Sequence, residues 1–367
     1  MDKADPSVGN YALLKETIAS VAGQFAKYFP DTLLVPSLGN NDGKYHYSGE
    51  DSANKADYYG AYFQDWFGSQ PFNKRLPELS EVKRTLMSGG YFRVDVDSKL
   101  SILSVNTLYL NKKNDATAQA GTEAQEILDW MRQQLASAGR KFIITNHIYP
   151  GAKYDGKSKD LLTPDFNQKY FALLQEFHDK IVIEGVAHDH YADVRYHSSG
   201  DSVTPKYFYH NMIVSPGVTP IDGSNPGVAI FEVNAGTMAP QNLVLHFISL
   251  EKTYGWKSVP TDLSIIPFRE VQLSSYGLTS LKGSDLSTFQ NQLASDDALT
   301  YRYLVAKVGF DETDSKEFEK AMSLYIDDLS IITSSKRKTH KFICQMHKNF
   351  DKAELDACVA ANKLKEP

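Results

Sequence analysis

Apolar and polar positions alternate along the chain in two distinct rhythms. Over residues 10–28, Leu13, Leu14, Ile18, Val21 and Phe25 recur at spacings of three and four, which predicts an amphipathic helix. "TLLVPSL" then reads as a short buried strand ending at Gly39. Residues 43–75 are rich in Tyr, Asp, Ser and Gly and are expected to form a long loop, with one aromatic helical turn inside "YYGAYFQDWFG". "YFRVDVD" (91–97) alternates as a strand does, and "KLSILSVNT" (99–107) predicts a second. Residues 122–139 predict a helix. Thr122 and Gln125 suit a reciprocal cap at its start, Gly139 suits a left-handed stop at its end, and Ile127, Leu128, Met131 and Leu135 form its apolar face.

"KFIITNH" predicts a strand ending at His147, residues 165–179 a helix, and "IVIEGVAHDH" (181–190) a strand running into two histidines. Strands then alternate with turns through "YFYHNMIVSPGVTP", "GVAIFEV" and "LVLHFISL". From about residue 260 the pattern becomes helical and more polar, through "STFQNQLASDDALTYRYLVAKVG" and "SKEFEKAMSLYIDDLS". Strand and helix alternating through the first half argue for an α/β fold with some parallel pairing.

Composition narrows the function classes. Hydrophobic residues make up 42% of the 367 positions and charged residues 23%, with a net charge of −6. An acidic balance argues against specific nucleic-acid recognition, which usually needs a basic face. No apolar stretch approaches the ~20 residues that span a bilayer, so no transmembrane segment is expected. "MDKADPSVGN" has no apolar core and no small-residue cleavage site, so it does not read as a signal peptide. The two cysteines, Cys344 and Cys358, suit either two free buried thiols or one local disulfide. A disulfide would stabilise by roughly 3 kcal/mol and imply an oxidising compartment. The basic run "SSKRKTHKF" (334–342) reads as a solvated surface, with contact to a lipid surface as the alternative.

The informative pattern is positional. Asn40, His147, His188 and His190 each sit just beyond the end of an apolar run. In open α/β sheets, ligand sites form outside the carboxyl ends of strands. Imidazole and amide oxygen together suit zinc, iron or manganese. Taken singly, each residue has a plainer reading: Asn40 as turn chemistry, His147 as a loop histidine, and His188-Asp189-His190 as a solvated turn.

Taken in order, "LGNND", "TNHIYPG" and "GVAHDH" resemble the last three motifs of the calcineurin-like metallophosphoesterases: a Gly-Asn-His-Asp/Glu loop, a lone His after a strand, and Gly-His-x-His. The acid sphingomyelinase-like and endopolyphosphatase-like branch fits best, through "HIYPG" (147–151), "SPGVTPIDGSNPGVAIFEV" (215–233) and "ILSVNTLYLNKKN" (102–114). The resemblance implies a metallophosphoesterase-type α/β fold, a β-sandwich flanked by helices, over residues 1–260. A C-terminal helical subdomain would occupy residues 261–367. It also implies a divalent metal site, with zinc the expected metal. Asn40, His147 and His188 would hold one ion and His190 a second, while Asp42 orients the loop.

Two departures shape the expected function. The family's Asp-x-His and Gly-Asp motifs do not appear upstream of Gly39, so the resemblance predicts an incomplete site holding one ion or none. Asn41 stands where the family has a His, and Ala4 where it often has another. His46 lies nearby in sequence. The expected function is metal-dependent hydrolysis of a phosphodiester: a phospholipid, a nucleotide or polyphosphate. The alternative is an inactive member of the family that serves as a binding protein. The family context implies an extracellular, lysosomal or vacuolar location.

Overall fold

The computed structural model describes residues 10–114, 120–154, 158–200, 205–253, 260–311, 313–314, 316–317, 344 and 352–363. Ala4, the basic run at 334–342 and most of "SKEFEKAMSLYIDDLS" lie outside them. Packing divides the chain into one unit of Met1–Gly151 with Asp160–Val186, and another of Ala152–Lys159 with Ala187–Pro367. This division by compactness is separate from the boundary expected at residue 260.

In the first unit, helix α1 spans Asn10–Tyr28 as its spacing predicts, but its buried stripe is Leu14, Ile18 and Ala22. Leu13, Val21 and Phe25, expected on the same face, are exposed. Phe25 packs its ring against Phe29 and Trp66 instead. "TLLVPSL" forms no strand. Leu34 N donates to Asn73 Oδ1 and Asn73 Nδ2 donates to Leu34 O, so a side chain stands in for a neighbouring strand. Pro36 has no N–H to give to a ladder, and its carbonyl accepts from Ser104 Oγ at 2.8 Å.

Residues 43–75 hold more helix than expected. Helix α2 (Lys55–Phe63) runs on into a π-helical turn at Gln64–Gly68, and a 3₁₀ turn follows at Asn73–Arg75. Tyr58, Tyr59, Tyr62 and Phe67 are buried along it, so aromatic packing outweighs the polar, glycine-rich composition. Helix α3 (Leu79–Gly89) stops at Gly90, whose φ of +74° favours glycine.

Strands β1 (Phe92–Asp95) and β2 (Leu100–Ser104) pair antiparallel. Helix α4 (Ala120–Leu135) buries Ile127, Leu128, Met131 and Leu135 as expected. It begins before Thr122, which is therefore internal to the helix and not its cap. Gly139 takes its left-handed φ of +70° in the turn beyond the helix. Strand β3 (Lys141–Thr145) runs parallel to β2. The chain next forms a short ribbon of β4 (Ala152–Tyr154) and β5 (Ser158–Asp160), which belongs to the second unit up to Lys159, and returns to the first unit with helix α5 (Pro164–Glu176). Strand β6 (Ile181–Val186) pairs parallel with β3, which completes the order β1-β2-β3-β6 in this unit.

The second unit carries a long antiparallel hairpin of β7 (Asp193–Gly200) and β8 (Pro205–Val214). It also carries a three-stranded antiparallel sheet, ordered β11-β10-β9. Its strands are β9 (Gly227–Val233), β10 (Pro240–Ile248) and β11 (Phe268–Gln272), with the short helix α6 (Leu250–Thr253) between the last two. β11 is a strand inside the stretch expected to be helical; it pairs with β10 from Val244↔Gln272 to Ile248↔Phe268. Helices α7 (Gly283–Ser295) and α8 (Asp297–Ala306) bear out the helical reading beyond it, with Asp296 capping α8 through Leu299 N at 2.9 Å. Cys344 is joined by a disulfide to Cys358 of helix α9 (Lys352–Lys363), and it packs with Ala152 and Leu355. The fold is thus mixed α/β, with a mixed sheet and flanking helices, as expected for a metallophosphoesterase-type chain.

Candidate functional site

Strand β3 ends at Thr145 and delivers Asn146 and His147 to its carboxyl end. Asn146 Nδ2 donates to the Glu184 carboxylate on β6, and Tyr170 of α5 donates its hydroxyl to the same oxygen at 2.6 Å. Glu184 is fully buried, so this polar anchor fixes the backbone one residue before His147.

His147 Nε2 then lies 2.7 Å from Asn40 Oδ1. Asn40 Nδ2 lies 3.2 Å from His46 Nε2. The buried Asn40 amide therefore sits between two imidazoles. Asp42 Oδ2 accepts from Gly39 N at 2.8 Å, which closes the turn as expected of a loop-orienting carboxylate. Burial pushes the Asp42 carboxyl up to about 6, against the opposing pull of the Gly39 N–H. Gly39 leaves little room for a side chain: a Cβ would stand 3.0 Å from Asp42 Oδ2 and 3.1 Å from the His147 ring. Farther along, Tyr47 takes a left-handed φ of 68° and donates its N–H to Asn40 O at 3.1 Å. Asn41 is exposed.

The second unit presents His188 and His190 on one loop, both with left-handed backbones at φ 78° and 60°. Asp189 between them is buried, with Lys153 Nζ at 3.0 Å and Arg195 Nη2 at 3.4 Å. Arg195 also faces Asp193 at 3.4 Å, and Lys307 Nζ reaches Asp193 at 3.3 Å. Burial pulls the Lys307 ammonium down to about 8, with Asp193 opposing. The His190 carbonyl accepts from Ser224 Oγ at 2.7 Å and Gly217 N at 3.2 Å. Its Nδ1 stands 2.9 Å from Asp222 Oδ2 without the alignment of a hydrogen bond.

Among the described residues, no group of three or more His, Cys, Asp or Glu gathers closely enough to hold a metal ion. The pair Asn40 and His147 nevertheless fits one. Two donors about 2.1 Å from a cation and at roughly tetrahedral or octahedral angles stand roughly 3.0–3.4 Å apart. The observed 2.7 Å between amide oxygen and imidazole nitrogen needs only a small opening to admit an ion. Of the four donors read from the sequence, Asn40 and His147 come together, and His188 and His190 share a loop in the second unit. His46, Glu184 and the buried Asp189–Arg195–Asp193–Lys307 network carry no comparable sequence signal.

No protein-family model matches the chain. Human acid sphingomyelinase-like phosphodiesterase 3b is 24% identical, over 82% of this chain and 65% of its own length. Sphingomyelinase phosphodiesterase C of Dictyostelium discoideum is 26% identical, over 63% of this chain and 52% of its own length. The endopolyphosphatase of Neurospora crassa is 30% identical, over 45% of this chain and 23% of its own length. The chain spans about two thirds or less of the length of these relatives. It is a homologue of the acid sphingomyelinase-like phosphodiesterases and of the endopolyphosphatase. None of its helices in the described residues is long and apolar enough to cross a membrane.

Proposed function

We propose that this chain hydrolyses a phosphodiester with the help of a divalent metal ion, held in the first unit by Asn40 Oδ1 and His147 Nε2. The observation that carries the reading is their 2.7 Å approach at the carboxyl end of β3. A bound divalent ion would polarise a phosphoryl oxygen and offset developing charge. The chain's own contribution is rigidity. Glu184 and Tyr170 pin Asn146, while Gly39 and Asp42 fix the turn that carries Asn40. His188 and His190 lie in the second unit, on a backbone that Asp189 and Ser224 anchor, and the proposal does not draw on them. Zinc suits the mixed nitrogen and oxygen donors, and manganese is the second choice. The names of the relatives support a phospholipid such as sphingomyelin, or polyphosphate, as substrate. The disulfide between Cys344 and Cys358 supports an oxidising location, extracellular or lysosomal/vacuolar.

Asn41 favours a second reading, a binding protein without hydrolytic activity. An amide cannot protonate a leaving group near neutral pH, and this one is exposed at the position where the family carries its His.

The test is zinc and manganese binding by calorimetry on the wild type and on His147→Ala, followed by hydrolysis of bis(p-nitrophenyl) phosphate. The proposal expects binding and turnover, both lost in the variant. No binding by the wild type refutes it. Binding without turnover selects the second reading.

A further inference from the structure

We infer that His46 is a positioning residue for this metal site: it sets which end of the Asn40 amide faces His147. The inference rests on the reading of Asn40 and His147 as metal donors. A primary amide has an acceptor oxygen that can bind a cation and an NH₂ group that cannot. The two ends have nearly the same shape, so packing alone does not choose between them. A rotation of half a turn about the last side-chain bond would exchange donor for non-donor at the site.

The hydrogen bonds make the choice. Asn40 Nδ2 faces His46 Nε2 at 3.2 Å, and Asn40 Oδ1 faces His147 Nε2 at 2.7 Å. With His46 protonated on Nδ1, its Nε2 is an acceptor that holds the NH₂ end and leaves the oxygen toward His147. The loop is built to return His46 to this place. The His46 ring packs edge-on against Tyr47, with centroids 4.3 Å apart. Tyr47 is itself fixed by its left-handed backbone, by its N–H bond to Asn40 O, by its carbonyl accepting from Asn111 Nδ2, and by the Lys113 ammonium 3.7 Å from its ring. Outer-shell partners of this kind typically change metal affinity by about 10–100-fold.

A purely structural His46 would satisfy a buried amide and do no more, and the two roles separate in measurement. Zn²⁺ affinity is measured by calorimetry, and the visible spectrum is recorded at saturating Co²⁺, for the wild type, His46→Leu and His46→Gln. Leu offers no acceptor, whereas the Gln carbonyl does. The expected result is Zn²⁺ binding weakened about 10–100-fold in His46→Leu and largely recovered in His46→Gln. The saturated Co²⁺ spectra should be the same in all three proteins, because the coordinating atoms do not change. Unchanged affinity in His46→Leu overturns the inference. A changed Co²⁺ spectrum also overturns it, because His46 would then be a ligand itself. Absence of metal binding by the wild type sinks the metal reading, and this inference with it. If His46→Leu does not fold, ¹⁵N NMR of the histidine rings in the metal-free wild type decides. A neutral His46 protonated on Nδ1 supports the inference, and protonation on Nε2 refutes it.

Discussion

Glu50 offers the sharpest quantitative test of how the loop after Gly39 is held. Its side chain is 1% exposed; Oε1 accepts from Lys44 N at 2.7 Å, and Oε2 has no partner among the described residues. Burial pushes its carboxyl up from 4.5 to about 7, with the Lys44 N–H opposing and Asp51 adding to the rise. Between those values the folded protein holds a proton that the unfolded chain has released. Stability from this group is therefore fully present below about pH 4.5 and is lost as the pH rises through about 7. At about 1.4 kcal/mol per pH unit, the whole window is worth about 3 kcal/mol, and about 2–3 of it falls between pH 5 and pH 8. Glu50→Gln keeps an acceptor for Lys44 N and removes the titration. Any constant effect of the new amide cancels when each protein is compared with itself at two pH values. Urea unfolding at pH 5 and pH 8 should show the wild type losing about 2–3 kcal/mol more than the variant across that interval. Equal losses in the two proteins would refute the reasoning.

Two further outcomes follow from the geometry. Gly39→Ala forces a Cβ against Asp42 and the His147 ring, so it should destabilise the fold by about 1–3 kcal/mol and weaken Zn²⁺ binding; calorimetry and thermal melts check both. Asp193→Ala leaves the buried Arg195 and Lys307 short of a counter-charge and should cost about 3–5 kcal/mol, read from denaturant midpoints, while a loss below about 1 kcal/mol would contradict the burial of this network.

Helix α1, strands β1, β2, β3 and β6, and helices α4 and α5 were legible because their apolar residues repeat at one period over a whole element. β7 was not, because its buried face includes Arg195, His197 and Ser198, and such residues read as exposed until their tertiary partners are known. "TLLVPSL" has the apolar content of a strand, yet Asn73 and Ser104 side chains meet its backbone. On α1, period alone could not tell Ala22 from Val21 as the buried position. Of the proposed metal donors, Asn40 and His147 were singled out by motif order at the ends of apolar runs, and the fold brings them within 2.7 Å of each other. The approach of His46 to Asn40 was not legible, because it depends on a loop that turns back through Tyr47, and no spacing encodes that return.

The left-handed backbones of His188 and His190 bear on how this protein can be engineered. A side chain with a β-carbon is strained there by about 1–2 kcal/mol, and glycine is not. A library sorted only for heat tolerance is therefore drawn toward glycine at both positions, against the contacts the imidazoles make, such as the Asp222 carboxylate 2.9 Å from His190 Nδ1. Directed evolution of a sturdier version of this chain needs a metal-binding or activity gate in every round, so that relief of backbone strain is not selected at the expense of the histidines that the sequence motif supplies.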